Sequence, residues 1–257
     1  MPTISLLVCS ALMVFVAACG ADQTPSFPTA PAGDATPAGS VNATASLSGK
    51  IVFEGQVPKP GKIQMTADPY CAQHNQNPYT ETVKVSDGGL ENAILYLSSG
   101  LEGNSFPTPS EPLLLDQRDC QYIPHVFTIQ VNQPMQVKNS DKTAHNVHAW
   151  PGKATPFNVG QPVQGMVFSA QFDQEEMPVA IRCDIHKWMN SYVGVFNHPF
   201  HTVSKAGGMY GMKIPAGKYE VTAWHEEYGT QKAMVDVVDN GEAVLNFTFK
   251  SHAGASD

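Results

Sequence analysis

From Leu47 onward the chain is a series of short apolar runs, each broken within a few residues by Gly, Pro or Asn: KIVFEG, AILYL, VFTIQV, MQVKN, AHNVHAW, VGVF, YEVTAW, AMVDVV and VLNFTF. In FTIQV and NFTF apolar and polar positions alternate, the period of a strand with one buried face. No stretch of helical length free of Pro and Gly carries a 3.6-residue apolar period. The pattern therefore predicts an all-β chain, a sandwich or a barrel, with Gly and Pro marking its turns. Asp239-Asn240-Gly241, between two strand-like runs, predicts a hairpin.

The N-terminal region follows a different pattern. An apolar run from Ile4 to Ala18 is too short to span a bilayer and reads as an export signal. It ends in Val16-Ala17-Ala18-Cys19, which resembles the bacterial lipobox and implies lipidation at Cys19. The chain departs from that pattern in having no Lys or Arg before Lys50. Residues 20–46 are rich in Ala, Pro, Thr, Gly and Ser and hold too little apolar mass to bury, as expected of a tether. The expectation is an exported bacterial lipoprotein, periplasmic or on the outer membrane, attached to the bilayer through its N-terminal lipid alone. Cys19 is followed by Gly20, not by the aspartate that marks inner-membrane retention, which favours the outer membrane.

The 257 residues carry a net charge of -8, which repels polyanions and argues against a nucleic-acid partner. Export changes how the cysteines are read, because disulfides persist outside the cytosol. Cys9 and Cys19 belong to the leader, leaving Cys71, Cys120 and Cys183, an odd number. If Cys183 is a metal ligand, Cys71 and Cys120 remain to form a disulfide.

The case for a metal rests on IRCDIHKWMNSYVGVF, where Cys183, His186 and Met189 stand at i, i+3 and i+6. Packing alone rarely puts three soft or borderline donors inside seven residues. A turn can aim all three at a point beyond a strand end. Copper sites of electron-transfer proteins use two imidazoles and a thiolate with a weak axial thioether, so one histidine is missing from this loop. NSDKTAHNVHAW offers His145 and His148, which on a strand face opposite sides, so only one of them can serve. Zinc is the competing metal, but a zinc site would not choose a thioether.

The segment from Cys120 to Trp150, followed by VAIRCDIHKWMNSYVGVF, resembles the cupredoxin family of type 1 (blue) copper proteins, and within it the amicyanin- and plastocyanin-like members. The resemblance implies a Greek-key β-sandwich over residues 111–198 holding one type 1 copper ion. It makes His145 the first imidazole, Cys183 the thiolate, His186 the second imidazole and Met189 the axial thioether. Asn146 matches the asparagine that ties the two ligand loops together. The chain departs from the family at Ala144, where many members have proline, and at Trp188, a bulky residue inside the ligand loop. His74, His125, His198 and His201 read as polar loop or strand-end residues. The Trp224-His225-Glu226 cluster reads as a strand end, since no nucleophile or second ligand accompanies it.

IPAGKYEVTAW and SGKIVFEGQVPKPG resemble the carboxypeptidase regulatory-like, transthyretin-like β-sandwich family. Residues 47–110 and 199–251 are thus expected to build one small sandwich, with the copper domain between them. The function implied is single-electron transfer to and from redox partner proteins, not an enzymatic reaction. In multicopper oxidases and nitrite reductases, histidines beside the cysteine wire type 1 copper to a second centre; here the neighbours are Arg182 and Asp184. Copper storage would call for dense Met or His clusters, whereas the ten methionines are scattered. The remaining alternative is a cell-surface interaction or copper-handling module whose copper carries no current.

Overall fold

A computed structural model describes residues 42–252. Cys19, the leader and most of the tether lie outside the described residues. Strands dominate, with one six-residue α-helix, Pro69–His74, and one short 3-10 turn among the described residues.

Two apolar cores organise the chain. The first lies between a five-stranded and a four-stranded sheet. The five-stranded sheet runs, in spatial order, Phe157–Gln161, His145–Trp150, Glu176–Arg182, Asn190–Phe196 and Val126–Gln130; the four-stranded one runs Val167–Ala170, Met135–Asn139, Leu113–Arg118 and Gln121–Ile123. Asn190–Phe196 pairs in parallel with Val126–Gln130, and Leu113–Arg118 with Met135–Asn139, so the chain must cross between the sheets. Alternation sets the inward faces. Met135, Val137 and Asn139 are buried while Gln136 is exposed, and Val179 and Ile181 are buried beside exposed Arg182. Both sheets contribute to one core through Leu115, Val137, Val147, Ile181 and Val193.

The second core draws on both flanks of the sequence, with Leu47, Ile51, Phe53, Leu95 and Leu97 from one side and Tyr219, Val221, Phe247 and Phe249 from the other. Ala45–Glu54 is its organising strand: it pairs antiparallel with Met209–Ile214 and in parallel with Glu242–Val244 and Phe247–Lys250. The facing sheet runs His201–Val203, Ile94–Ser99, Gly217–His225 and Gly229–Val237. A third, smaller cluster of Ile94, Val126 and Phe196, flanked by Tyr96, Tyr192 and Trp224, joins the two sandwiches.

Two features differ from the sequence reading. Asp239-Asn240-Gly241 does form a turn, closed by Gly241 N–H on the Val238 carbonyl at 2.9 Å, with Asn240 at a φ of 53°. The chain beyond it does not fold back as a hairpin but crosses to pair with Ala45–Glu54, which puts Phe247 and Phe249 in the core. The other difference is at residues 61–80, which sequence position assigns to the second sandwich. Met65 and Cys71 instead lie in the first core, because this segment leaves the sheets and straps across the end of the first sandwich.

Candidate metal centre

The Cys183–Met189 loop is a tight connection between adjacent strands, with Arg182 directly opposite Asn190 in the ladder. Cys183 N–H donates to the Met189 carbonyl at 3.1 Å and Met189 N–H to the His186 carbonyl at 2.8 Å, so the backbone itself fixes the loop. Cys183 and Met189 both turn into the first core. The neighbouring strand runs antiparallel, with His148 opposite Arg182, so its first residue, His145, overhangs the ladder at the level of the loop. Strand parity then separates the two histidines. His145 is fully buried, while His148 turns outward, bonds to Asp184 at 3.0 Å and stacks on Trp150.

The donor atoms of His145, Cys183 and His186 lie within 4.8 Å of one another. Nδ1 of His145 is 3.0 Å from Nδ1 of His186. Each ring is held at its far nitrogen by a carboxylate: His145 Nε2 by Asp141 at 2.8 Å and His186 Nε2 by Asp68 at 3.0 Å. An imidazole that donates Nε2–H to a carboxylate keeps its lone pair on Nδ1. Two such lone pairs facing each other repel, unless a proton or a cation sits between them. Donors about 2.0 Å from a common ion, at angles between about 100° and 120°, lie about 3.1 to 3.5 Å apart, so the observed spacing fits one ion with little adjustment.

The two carboxylates are themselves well supplied with donors. Asp68 Oδ1 caps the helix by accepting from Tyr70 N–H at 2.8 Å and Cys71 N–H at 3.3 Å, and Oδ2 also takes the Thr143 hydroxyl at 2.6 Å. Asp141 accepts the Asp119 and Cys120 N–H groups, each at 2.8 Å. Burial works against charge on both. The Thr143 hydroxyl and Cys71 N–H nevertheless hold the Asp68 carboxyl below its ordinary range, as His145 and the Cys120 N–H do for Asp141. Burial likewise opposes ionisation of Cys183, but the imidazoles of His145 and His186 and the N–H groups of Asn146 and His186 bring its thiol down to about 6. Cys183 is thus poised as a thiolate near neutral pH, the form that binds metal.

Asn146 joins the two loops: Asp184 N–H donates to its Oδ1 at 2.6 Å, and its amide nitrogen donates to Asn158 Oδ1 at 2.8 Å and Asp184 Oδ2 at 3.0 Å. Trp188 packs on the His186 ring and donates its indole N–H to the Cys120 carbonyl at 3.0 Å. Cys71 and Cys120 form a disulfide, and Cys183 is the free cysteine among the described residues. The other histidines stay away from this cluster. His74 stacks on Tyr70, His198 on Phe196, and His201 bonds to Thr128. His125 bonds to Glu226 across the junction of the sandwiches, a pairing sequence position did not suggest. Sequence reasoning also missed Asp68 and Asp141. Asp141 lies four residues before His145, within reach of its ring, whereas Asp68 carries only a helix-cap signal, Asp-Pro, unrelated to any histidine.

No family model matches the chain, and no curated protein matches it. Among solved structures, a copper-containing nitrite reductase from Thermus scotoductus SA-01 is similar over 40% of this chain and 25% of its own, at 17% identity and a TM-score of 0.32. The matched region is thus about a quarter of that enzyme's length. A purple cupredoxin from Nitrosopumilus maritimus is similar over 33% of this chain and 97% of its own, at 20% identity and a TM-score of 0.28. For a Cu(I) amicyanin variant the values are 39% and 97%, at 16% identity and a TM-score of 0.29.

Proposed function

We propose that the chain binds one copper ion through His145, Cys183, His186 and Met189 and passes single electrons to and from redox partner proteins. The observation that carries this reading is the pair of imidazoles, each fixed at Nε2 by a carboxylate, with their Nδ1 atoms 3.0 Å apart beside a buried thiol. Two imidazoles and one thiolate, with a thioether on the same loop, are a donor set suited to both copper oxidation states. Bound copper supplies the one-electron couple. The protein's part is to hold the donors still: the loop is closed by its own backbone, Asn146 pins it to the neighbouring strand, and both rings are clamped from behind. Such a frame lets the charge change with little rearrangement.

The reading is of a carrier, not an enzyme. Beside Cys183, Arg182 is exposed and Asp184 is engaged by Asn146, Asn158 and His148, so no further metal ligand extends from that position. The test is to load the apoprotein with cupric ion and record its visible spectrum beside that of Cys183→Ser. An intense charge-transfer band that bleaches on reduction and is absent from the variant is expected. A colourless wild-type protein, or a variant with the same band, refutes the reading.

A further inference from the structure

His186 lies between Ile185 and Lys187, both exposed, on a loop at the end of the sandwich, yet it is itself only 3% exposed. Part of that cover comes from Trp188 on the same loop, which packs on its ring. The Nε2 edge of the ring is covered by the strap, residues 61–80, which contributes no strand to either sheet of the first sandwich. The strap closes on itself through Ile63 N–H to the Pro78 carbonyl at 2.8 Å and Thr80 N–H to the Gly61 carbonyl at 2.9 Å. It is fixed to the sandwich by the Cys71–Cys120 disulfide, by the Asn75 amide on the Asp119 carbonyl at 2.7 Å, and by Met65 in the core. These anchors bring Asp68 Oδ2 to 3.0 Å from His186 Nε2 and Cys71 Sγ to 3.8 Å from the same atom.

We propose that Asp68 is a positioning residue of the copper centre, carried in by the strap to orient the His186 ring and to shut its outer edge off from water. The proposal rests on the copper reading of the site and adds a residue to it. A histidine on a surface loop is free to turn about its side-chain bonds and to exchange its ring proton with solvent. The carboxylate of Asp68 removes both freedoms, because it is already fixed by two backbone N–H groups and by the Thr143 hydroxyl. It also puts a negative charge one hydrogen bond from a ligand ring, which favours the more highly charged cupric state.

Two measurements on the full chain test this. The first needs no metal and follows solvent exchange of the His186 ring N–H by NMR in the apoprotein. In wild type that proton should be visible, and in Asp68→Ala its exchange should be faster by about tenfold or more, the loss expected for one charge-assisted hydrogen bond. Asp68→Asn keeps the capping oxygen but puts an NH2 group where Oδ2 accepts from His186 and Thr143, so it should fold while losing the ring-proton protection as Asp68→Ala does. The second measurement is the reduction potential of the copper-loaded proteins. Asp68→Asn should raise it, since both the charge and the acceptor at His186 Nε2 are gone, and Asp68→Glu, which restores a carboxylate, should bring it back toward wild type. A purely structural role for Asp68 would leave the Asn potential at the wild-type value, and that result overturns the proposal. So does unchanged ring-proton exchange in Asp68→Ala. If the wild-type protein gives no coloured copper complex, the copper reading fails, while the apoprotein exchange measurement still decides the role of Asp68.

Discussion

Removing the Cys71–Cys120 bridge is a perturbation whose size the structure lets us work out. The two cysteines are 49 residues apart in sequence and both are fully buried. A cross-link over that separation removes loop-closure entropy from the unfolded chain worth about 4 kcal/mol at 25 °C. Replacing both by alanine, not serine, avoids leaving two buried hydroxyls without partners, a cost that would confuse the comparison. The assay is guanidinium unfolding of the oxidised wild type and of the Cys71→Ala/Cys120→Ala protein, each followed by tryptophan fluorescence. The variant should lose about 2 to 4 kcal/mol, and its slope against denaturant should rise, because its unfolded chain is no longer held compact. If the two sandwiches unfold in separate steps, the loss belongs to the step that melts the first one, which contains Cys120. A loss below about 1 kcal/mol with an unchanged slope would show that the reasoning from chain entropy does not apply here.

Two further outcomes are expected. Replacing Met189 with Gln, a harder oxygen donor, should lower the reduction potential while the protein stays coloured, and replacing it with Leu should raise the potential; equal potentials in all three proteins would remove Met189 from the site. His225 is fully buried among Tyr228 and Phe249, its Nε2 has no partner, and burial first, then the charge of His125, press its pKa down to about 4. Below about 6.5 the unfolded chain binds a proton there that the folded chain refuses, so stability is intact above that pH and falls as pH drops toward 4, by up to about 1.4 kcal/mol per unit. His225→Phe should flatten the fall, as read from urea midpoints between pH 7 and pH 5, and an unchanged slope would exclude His225 as its source.

What could be read from the sequence was whatever local geometry fixes. Cys183, His186 and Met189 are legible because one short loop carries them, and a loop joining two strands has few ways to fold. Strand parity allows only one of His145 and His148 to serve, and the family resemblance, not parity, selects His145. The all-β class follows from alternation alone. Partners set by long separations were not legible. Asp68 reaches His186 across 118 residues, and His125 reaches Glu226 across 101. No periodicity encodes such distances. The strap was assigned to the neighbouring sandwich for the same reason: a boundary drawn along the sequence cannot show a segment that leaves its own sheet and is stapled to another. The turn at Asp239-Asn240-Gly241 was legible as a turn, but the partner of the following strand was decided by the core that needed Phe247 and Phe249.

The long-range contacts also explain why the two imidazole clamps act together. Asp68 bonds to His186 on one side and to Thr143 on the other, and Thr143 stands two residues before His145 on the same turn. Asp141, which clamps His145, accepts the N–H of Cys120, and Cys120 is bonded through its disulfide to Cys71, three residues after Asp68. Tyr70 adds a further tie by donating its hydroxyl to Asp141 at 3.4 Å. The bonds form a closed ring around the two histidines, part covalent and part hydrogen-bonded. In an open chain of contacts either ring could shift alone. In a closed one a shift at His186 must also stretch Asp68, the strap and the disulfide, besides pressing directly on the His145 ring. Each added link lowers the number of ways the donor set can relax when its charge changes. On the proposed reading, in which the centre gains and loses one electron, that stiffness would keep the reorganisation small.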